Sequence, residues 1–216
     1  AELGWNYEFG ATYTYRNCAE TRIKLTATAY YFKLNDAIVR REDTSNQEYY
    51  VNAGGTSQVG LELYGAFKLT GNKKRKVLEN LFLVTTYTLQ HFKFKDYEVA
   101  STSYSGNWLS GVPRHVATVQ LVADFGGGVS ANLTYNFTST IPLNDANEVY
   151  ADAYHLLQAR ISYKLPIKKR EIELYLSGDN LLNQKYSLGN DINAFGGRYY
   201  NPAPTINFLG GVRVKI

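Results

Sequence analysis

From Trp5 to Tyr15 every second residue is apolar (Trp5, Tyr7, Phe9, Ala11, Tyr13, Tyr15), and Asn6, Glu8, Gly10, Thr12 and Thr14 lie between them. A period of two fits a β-strand with two chemically different faces and does not fit a helix, whose period is about 3.6. The pattern recurs to the end of the chain, for example at Ile23–Tyr31, Val59–Leu69, Ala117–Phe125, Val129–Phe137, Leu157–Leu165, Ile172–Leu176 and Phe208–Ile216. Leu81–Leu89 follows it less cleanly, because Phe82 and Val84 occupy the other face. This reading gives about nine strands, and no apolar face carries a charge, although 19% of the chain is charged. A composition of 14% aromatic residues, 18 Gly and only 5 Pro agrees with strands. No apolar run approaches the roughly 18–20 residues of a transmembrane helix.

Alternation alone does not tell a soluble sandwich from a membrane barrel, since either has one apolar face. The connections discriminate better. Short ones near 16–20, 71–79, 126–128 and 166–170 alternate with long ones near 35–50, 94–114, 138–153 and 187–204. Long structureless connections are uncommon in compact soluble domains. Short turns at one rim and long loops at the other describe an antiparallel up-and-down transmembrane β-barrel. In such a barrel the apolar face meets lipid and the polar face lines a wet lumen. Tyr and Phe near the strand ends suit an interfacial belt.

Chemistry-bearing motifs are scarce. The single Cys18 forms no internal disulfide or metal pattern, and no nucleophile elbow, zinc motif or phosphate loop is present. The reading is therefore a non-enzyme with no cofactor and no metal. A net charge of +4 is concentrated in Lys73–Lys76 and Lys168–Arg170, which read as solvated turns and not as a nucleic-acid footprint. Asn132 and Asn136 head glycosylation-type triplets, but both lie within a strand on the polar face. His91, His115 and His155 are scattered over different strands without triad spacing. Gly126–Gly128 reads as a hairpin turn that tolerates positive φ.

Function then falls to the long loops. Candidate ligand-binding residues are Asn107 and Trp108 in loop 94–114, with Arg198, Tyr199 and Tyr200 in loop 187–204. Arginine pairs with oxygen acceptors and stacks on rings, which suits an anionic or chelate ligand. The same aromatics also suit an interfacial girdle or a loop folded on itself.

Asp179-Asn180-Leu181-Leu182-Asn183-Gln184-Lys185-Tyr186, then Phe195 to Pro204 and a terminal strand from Ile206 to Ile216, resemble the end of TonB-dependent outer-membrane receptors. Glu2-Leu3-Gly4, Gly60-Leu61-Glu62-Leu63 and Gly111-Val112-Pro113-Arg114-His115 resemble the family's strand entries. One departure is the last residue, Ile216, where such barrels usually end in an aromatic. The resemblance implies a barrel of about 22 strands filled by an N-terminal plug. Residues 1–216 would supply roughly its last nine strands, with the plug and earlier strands not present. A chain without Met, even at position 1, agrees with a fragment. The implied function is uptake of a scarce ligand such as an iron-siderophore across the bacterial outer membrane. Its partners would be outer-membrane lipid, the plug and remaining strands, the TonB energy-coupling complex through the missing N-terminal part, and a small-molecule ligand, with no nucleic acid. A small self-contained outer-membrane barrel with a structural or adhesive role is the alternative. An outer-membrane enzyme lacks the residues it would need.

Overall fold

A computed structural model describes residues 2–17, 20–42, 45, 47–52, 54–69, 77–99, 101–167 and 170–215. The strands are β1 (Leu3–Asn17), β2 (Glu20–Asn35), β3 (Ile38–Glu42), β4 (Glu48–Asn52), β5 (Gly55–Lys68), β6 (Leu78–Lys95), β7 (Glu98–Val99), β8 (Thr102–Ser103) and β9 (His115–Phe125). They continue with β10 (Val129–Thr138), β11 (Ile141–Pro142), β12 (Tyr150–Ala151), β13 (Tyr154–Ile167), β14 (Arg170–Asp179), β15 (Ser187–Asn190), β16 (Tyr200–Pro202) and β17 (Asn207–Lys215). Nine of them form one sheet in the order β1-β2-β5-β6-β9-β10-β13-β14-β17. Every neighbouring pair is antiparallel, as hairpin connections require. The sheet is open: among the described residues β1 and β17 are its edges and are not paired with each other.

The strand register matches the alternation at every step. One ladder row crosses all nine strands as Tyr15, Ile23, Phe67, Leu83, Leu121, Leu133, Ala159, Gly178 and Phe208. A slip of one residue on any strand would push polar side chains into this surface, so the pattern excludes odd slips and the hairpin turns set the rest of the register. The opposite face is polar. There Glu173 accepts from Arg160 at 3.1 Å and from Arg213 at 3.2 Å, and the Arg160 guanidinium lies 4.0 Å from the Tyr175 ring centre. Asn136 accepts from Thr118 at 2.9 Å on the same face. Phe82, the irregularity in β6, lies on the polar face under the Lys68 ammonium, 5.5 Å from its ring centre. A lysine stem can cover an aromatic in this way while its charged head stays wet.

At one rim the connections are tight. The turn at 126–128 has Gly127 at φ 83 and Gly128 at φ 85, and a side chain on Gly128 would run into the Lys164 carbonyl. At the other rim the long connections are not structureless. Each forms its own two-stranded hairpin: β3 with β4, β7 with β8, β11 with β12, and β15 with β16. Strands of two to five residues carry too little alternation to register as strands in sequence. Lys73–Lys76, Lys168, Lys169, Cys18 and Ile216 lie outside the described residues.

Candidate ligand-binding loop cluster

Three of the long connections fold together above the rim. Loop 96–114 is held by Tyr97, which packs with Phe94 at the top of β6 and with Ala37 beyond β2, both buried. The Phe94 and Tyr97 ring centres are 4.7 Å apart. Loop 139–153 and loop 180–206 share a second apolar cluster, in which Ile141, Leu143 and Ala151 are buried against Ile192 and Tyr199.

Asp145 joins the two clusters. It is only 3% exposed, and its carboxylate accepts from Tyr97 Oη at 2.8 Å, Ser110 Oγ at 2.7 Å and Asn193 Nδ2 at 3.1 Å. Its backbone contributes as well: the carbonyl accepts from Asn107 Nδ2 at 2.8 Å, and its N–H donates to Asn193 Oδ1 at 3.0 Å. Beside it Asn147 accepts from the Trp108 N–H at 2.6 Å and donates to the Trp108 carbonyl at 3.0 Å. Three donors compensate the burial of this carboxylate, two from loop 96–114 and one from loop 180–206.

The Asn180 element has a similar structural job. Asn180 is buried with φ 49, donates to the carbonyls of Gln184 at 2.8 Å and Pro204 at 3.2 Å, and accepts from the Gln184 N–H at 2.9 Å. It thus fastens the two ends of loop 180–206 to each other. Asn183, at φ 52, accepts from the Ile206 N–H at 3.3 Å. Asparagine is the non-glycine residue best suited to this left-handed backbone.

The five candidate residues are divided between different settings. The Asn107 amide is engaged by the Asp145 carbonyl. Trp108 pairs with Lys93 across an isolated bridge and turns its ring to the side of the apolar face, against His91, Lys93 and Arg114. Tyr199 packs into the Ile141–Leu143 cluster. Arg198 is exposed, as is Tyr200, whose hydroxyl donates to the Tyr150 carbonyl at 3.2 Å. Tyr199 and Tyr200 meet edge to face at 6.4 Å.

Tyr200 also lines a pocket of about 250 Å³ with Asp152, Tyr154, Lys185, Tyr186 and Asn190. The rings of Tyr154 and Tyr186 lie 5.0 Å apart. Asn190 Oδ1 is buried and has no hydrogen-bond partner among the described residues. Tyrosines, one ammonium, one carboxylate and an unpaired amide oxygen can together stack on a planar group and bond to hydroxyl or carboxyl substituents. Asp145, Asp152, Tyr154 and Lys185 were not singled out from sequence, and only the closing of the loops brings them to the site. No group of three His, Cys, Asp or Glu residues able to hold a metal occurs among the described residues.

This fold, with one face free of charge through its middle rows and long loops gathered at one rim, has clear relatives. Residues 1–181 match the family described as TonB dependent receptor-like, beta-barrel. The chain belongs to that family. An uncharacterized TonB-dependent receptor of Haemophilus influenzae is 27% identical over 205 residues, which is 90% of this chain and 54% of the relative. The chain thus spans about half the length of that curated relative. The ferric citrate transporter FecA, unliganded, superposes with a TM-score of 0.75 at 17% identity, covering 98% of this chain and 31% of FecA. The ferric yersiniabactin uptake receptor FyuA from Yersinia pestis gives 0.70 at 19% identity, covering 99% of this chain and 29% of FyuA. The siderophore receptor PiuA from Acinetobacter baumannii gives 0.73 at 17% identity, covering 98% of this chain and 28% of PiuA. At these identities the superpositions establish the barrel fold.

Proposed function

We propose that this chain supplies nine strands and four loops of an outer-membrane receptor that takes up a scarce small ligand, an iron-siderophore first among the candidates. The remaining strands would close the open sheet, since an unpaired edge in lipid leaves backbone groups unsatisfied. A plug domain would fill the lumen, and the TonB complex would supply the energy for passage. The observation that carries the reading is the loop cluster locked by Asp145 beside a tyrosine-lined pocket. A rigid, partly aromatic recess at the outer rim of a wet barrel suits capture of a dilute ligand, because the loops are ordered before the ligand arrives. Receptors of ferric citrate, ferric yersiniabactin and siderophores among its fold relatives support the ligand class. Of the residues chosen from sequence, Tyr200 lines this pocket, beside Lys185 and Tyr186, and these three are the proposed ligand contacts; Arg198 is exposed on the same loop but is not among the lining residues.

The test is uptake of radioactive iron by cells whose only siderophore receptor is the full-length protein, supplied with ferric citrate, a ferric catecholate and a ferric hydroxamate in turn. One of these chelates should be taken up. Tyr200→Ala and Lys185→Ala should each lower uptake of it at limiting concentration by about tenfold, as loss of a central binding contact does. Receptor levels in the membrane should not change. Undiminished uptake by both variants would contradict the pocket assignment, and no uptake of any chelate would contradict the ligand class.

A further inference from the structure

Towards the loop rim, the apolar face gives way to polar residues along a staircase. His155 lies in the ladder row of Phe137, Ala117 and Tyr87. His115 lies one row nearer the loops, opposite Leu89, and His91 one row further again, opposite Val59. The next row runs Trp5, Lys33, Ser57, Lys93 and Trp108. A level membrane surface cutting across tilted strands should step in just this way, so these residues mark the height of the lipid headgroups. All three histidines of the chain sit on this line. They have ring partners as well: Tyr87 bonds His115 Nδ1 at 2.8 Å, Tyr135 bonds His155 Nδ1 at 2.6 Å, and His91 meets Trp108 edge to face at 4.7 Å.

The cations on this line are concentrated around Trp108. The Arg114 guanidinium lies 4.1 Å and the Lys93 ammonium 4.7 Å from its ring centre. Lys33 is exposed two strands away in the same row. None of Lys33, Lys93 and Arg114 has an ion-pair partner among the described residues. Two cations held against one indole, with no carboxylate to neutralise them, create a positive patch at the boundary of a low-dielectric medium. An anion there is attracted far more strongly than in bulk water.

We propose that Lys93 and Arg114, held against Trp108, with Lys33 further along the same row, form a docking site for the phosphate of a phosphorylated glycolipid of the outer leaflet. The site faces the membrane. It lies on the other side of the wall from the ligand pocket and is independent of the nutrient that the receptor carries. Trp108 holds the arginine fork and the ammonium at headgroup height, where an indole itself is favoured. The apolar rows below it accommodate the acyl chains of the same lipid.

The test uses the full-length receptor in detergent, titrated with purified bis-phosphorylated lipid A and followed by native mass spectrometry. The wild type should retain the lipid, and enzymatically dephosphorylated lipid A should not be retained. The pair Lys93→Gln with Arg114→Gln should weaken retention by about tenfold or more, as loss of charge-assisted hydrogen bonds does. Lys164→Gln, at the opposite rim, should leave retention unchanged. Thermal unfolding identifies any variant that misfolds, and in that case the single Arg114→Gln replaces the pair. Equal retention by wild type and variant, equal binding of dephosphorylated lipid, or displacement by inorganic phosphate at the lipid's own concentration would each overturn the proposal.

Discussion

Lysine at Leu133 or Ile161 is expected to prevent assembly of the full-length receptor in the outer membrane, while lysine at Gln158 is tolerated. Leu133 sits mid-strand in the row that joins Leu83, Leu121 and Ala159, and Ile161 pairs with Leu176 one row away. Both side chains project from the apolar face, in its charge-free middle rows. A lysine at mid-bilayer on that face costs about 2–4 kcal/mol, a large fraction of what holds a barrel in place. Gln158 pairs with Thr134 on the polar face and is exposed, so an ammonium there remains hydrated. Ser162, on the same polar face, is a poorer control. It is 7% exposed and its hydroxyl bonds Ser130 at 2.8 Å, so lysine there must displace packed neighbours. The heat-resistant band of the folded receptor on gels separates the outcomes, and equal recovery of all three variants would contradict the assignment of faces.

The second large effect concerns Asp145. Asp145→Ala removes the acceptor of Tyr97, Ser110 and Asn193 together, leaving three donors in a site closed to water. Each lost bond to a charged group costs about 1.5–3 kcal/mol, more than a loop of this size has in reserve. Loops 96–114, 139–153 and 180–206 should separate. Protease added to intact cells should then cut near residues 103, 146 and 192, which the wild type protects. The heat resistance of the barrel should remain, because the carboxylate touches no main-sheet ladder. Asp145→Asn retains one acceptor oxygen and should give partial protection. A receptor whose loops stay protected in the alanine variant would show that Asp145 does not hold them.

The nine-strand sheet was legible because lipid and lumen impose opposite chemistry on successive residues, and this fixes the face of each residue. Every residue of the row from Tyr15 to Phe208 lies on the apolar face that alternation marks out, while the pairing of neighbours along it is set by the hairpin connections. The loop hairpins were not legible, since β7 and β8 are two residues each and their geometry depends on Tyr97 reaching Asp145. Asp145 itself stands among Asn144, Asn147 and Glu148 in a polar stretch, and no spacing distinguishes a buried acceptor from a solvated one. Trp108 shows the limit of residue type as a guide. An exposed-loop tryptophan suits a ligand and a membrane surface equally, and only its pairing with Lys93 decides which way it faces. The histidines looked scattered because their common line runs obliquely across strands, which no linear spacing displays.

The most direct test of the central claim, that this sheet is a membrane wall with one face in lipid, is a nitroxide scan along β10 in the full-length receptor. Labels placed singly at 131 to 136 report local oxygen and water access by electron paramagnetic resonance. Positions 131, 133 and 135 should show high oxygen and low water access, and positions 132, 134 and 136 the reverse, in strict alternation. Alternation of opposite phase, or uniform access along the strand, would contradict the account.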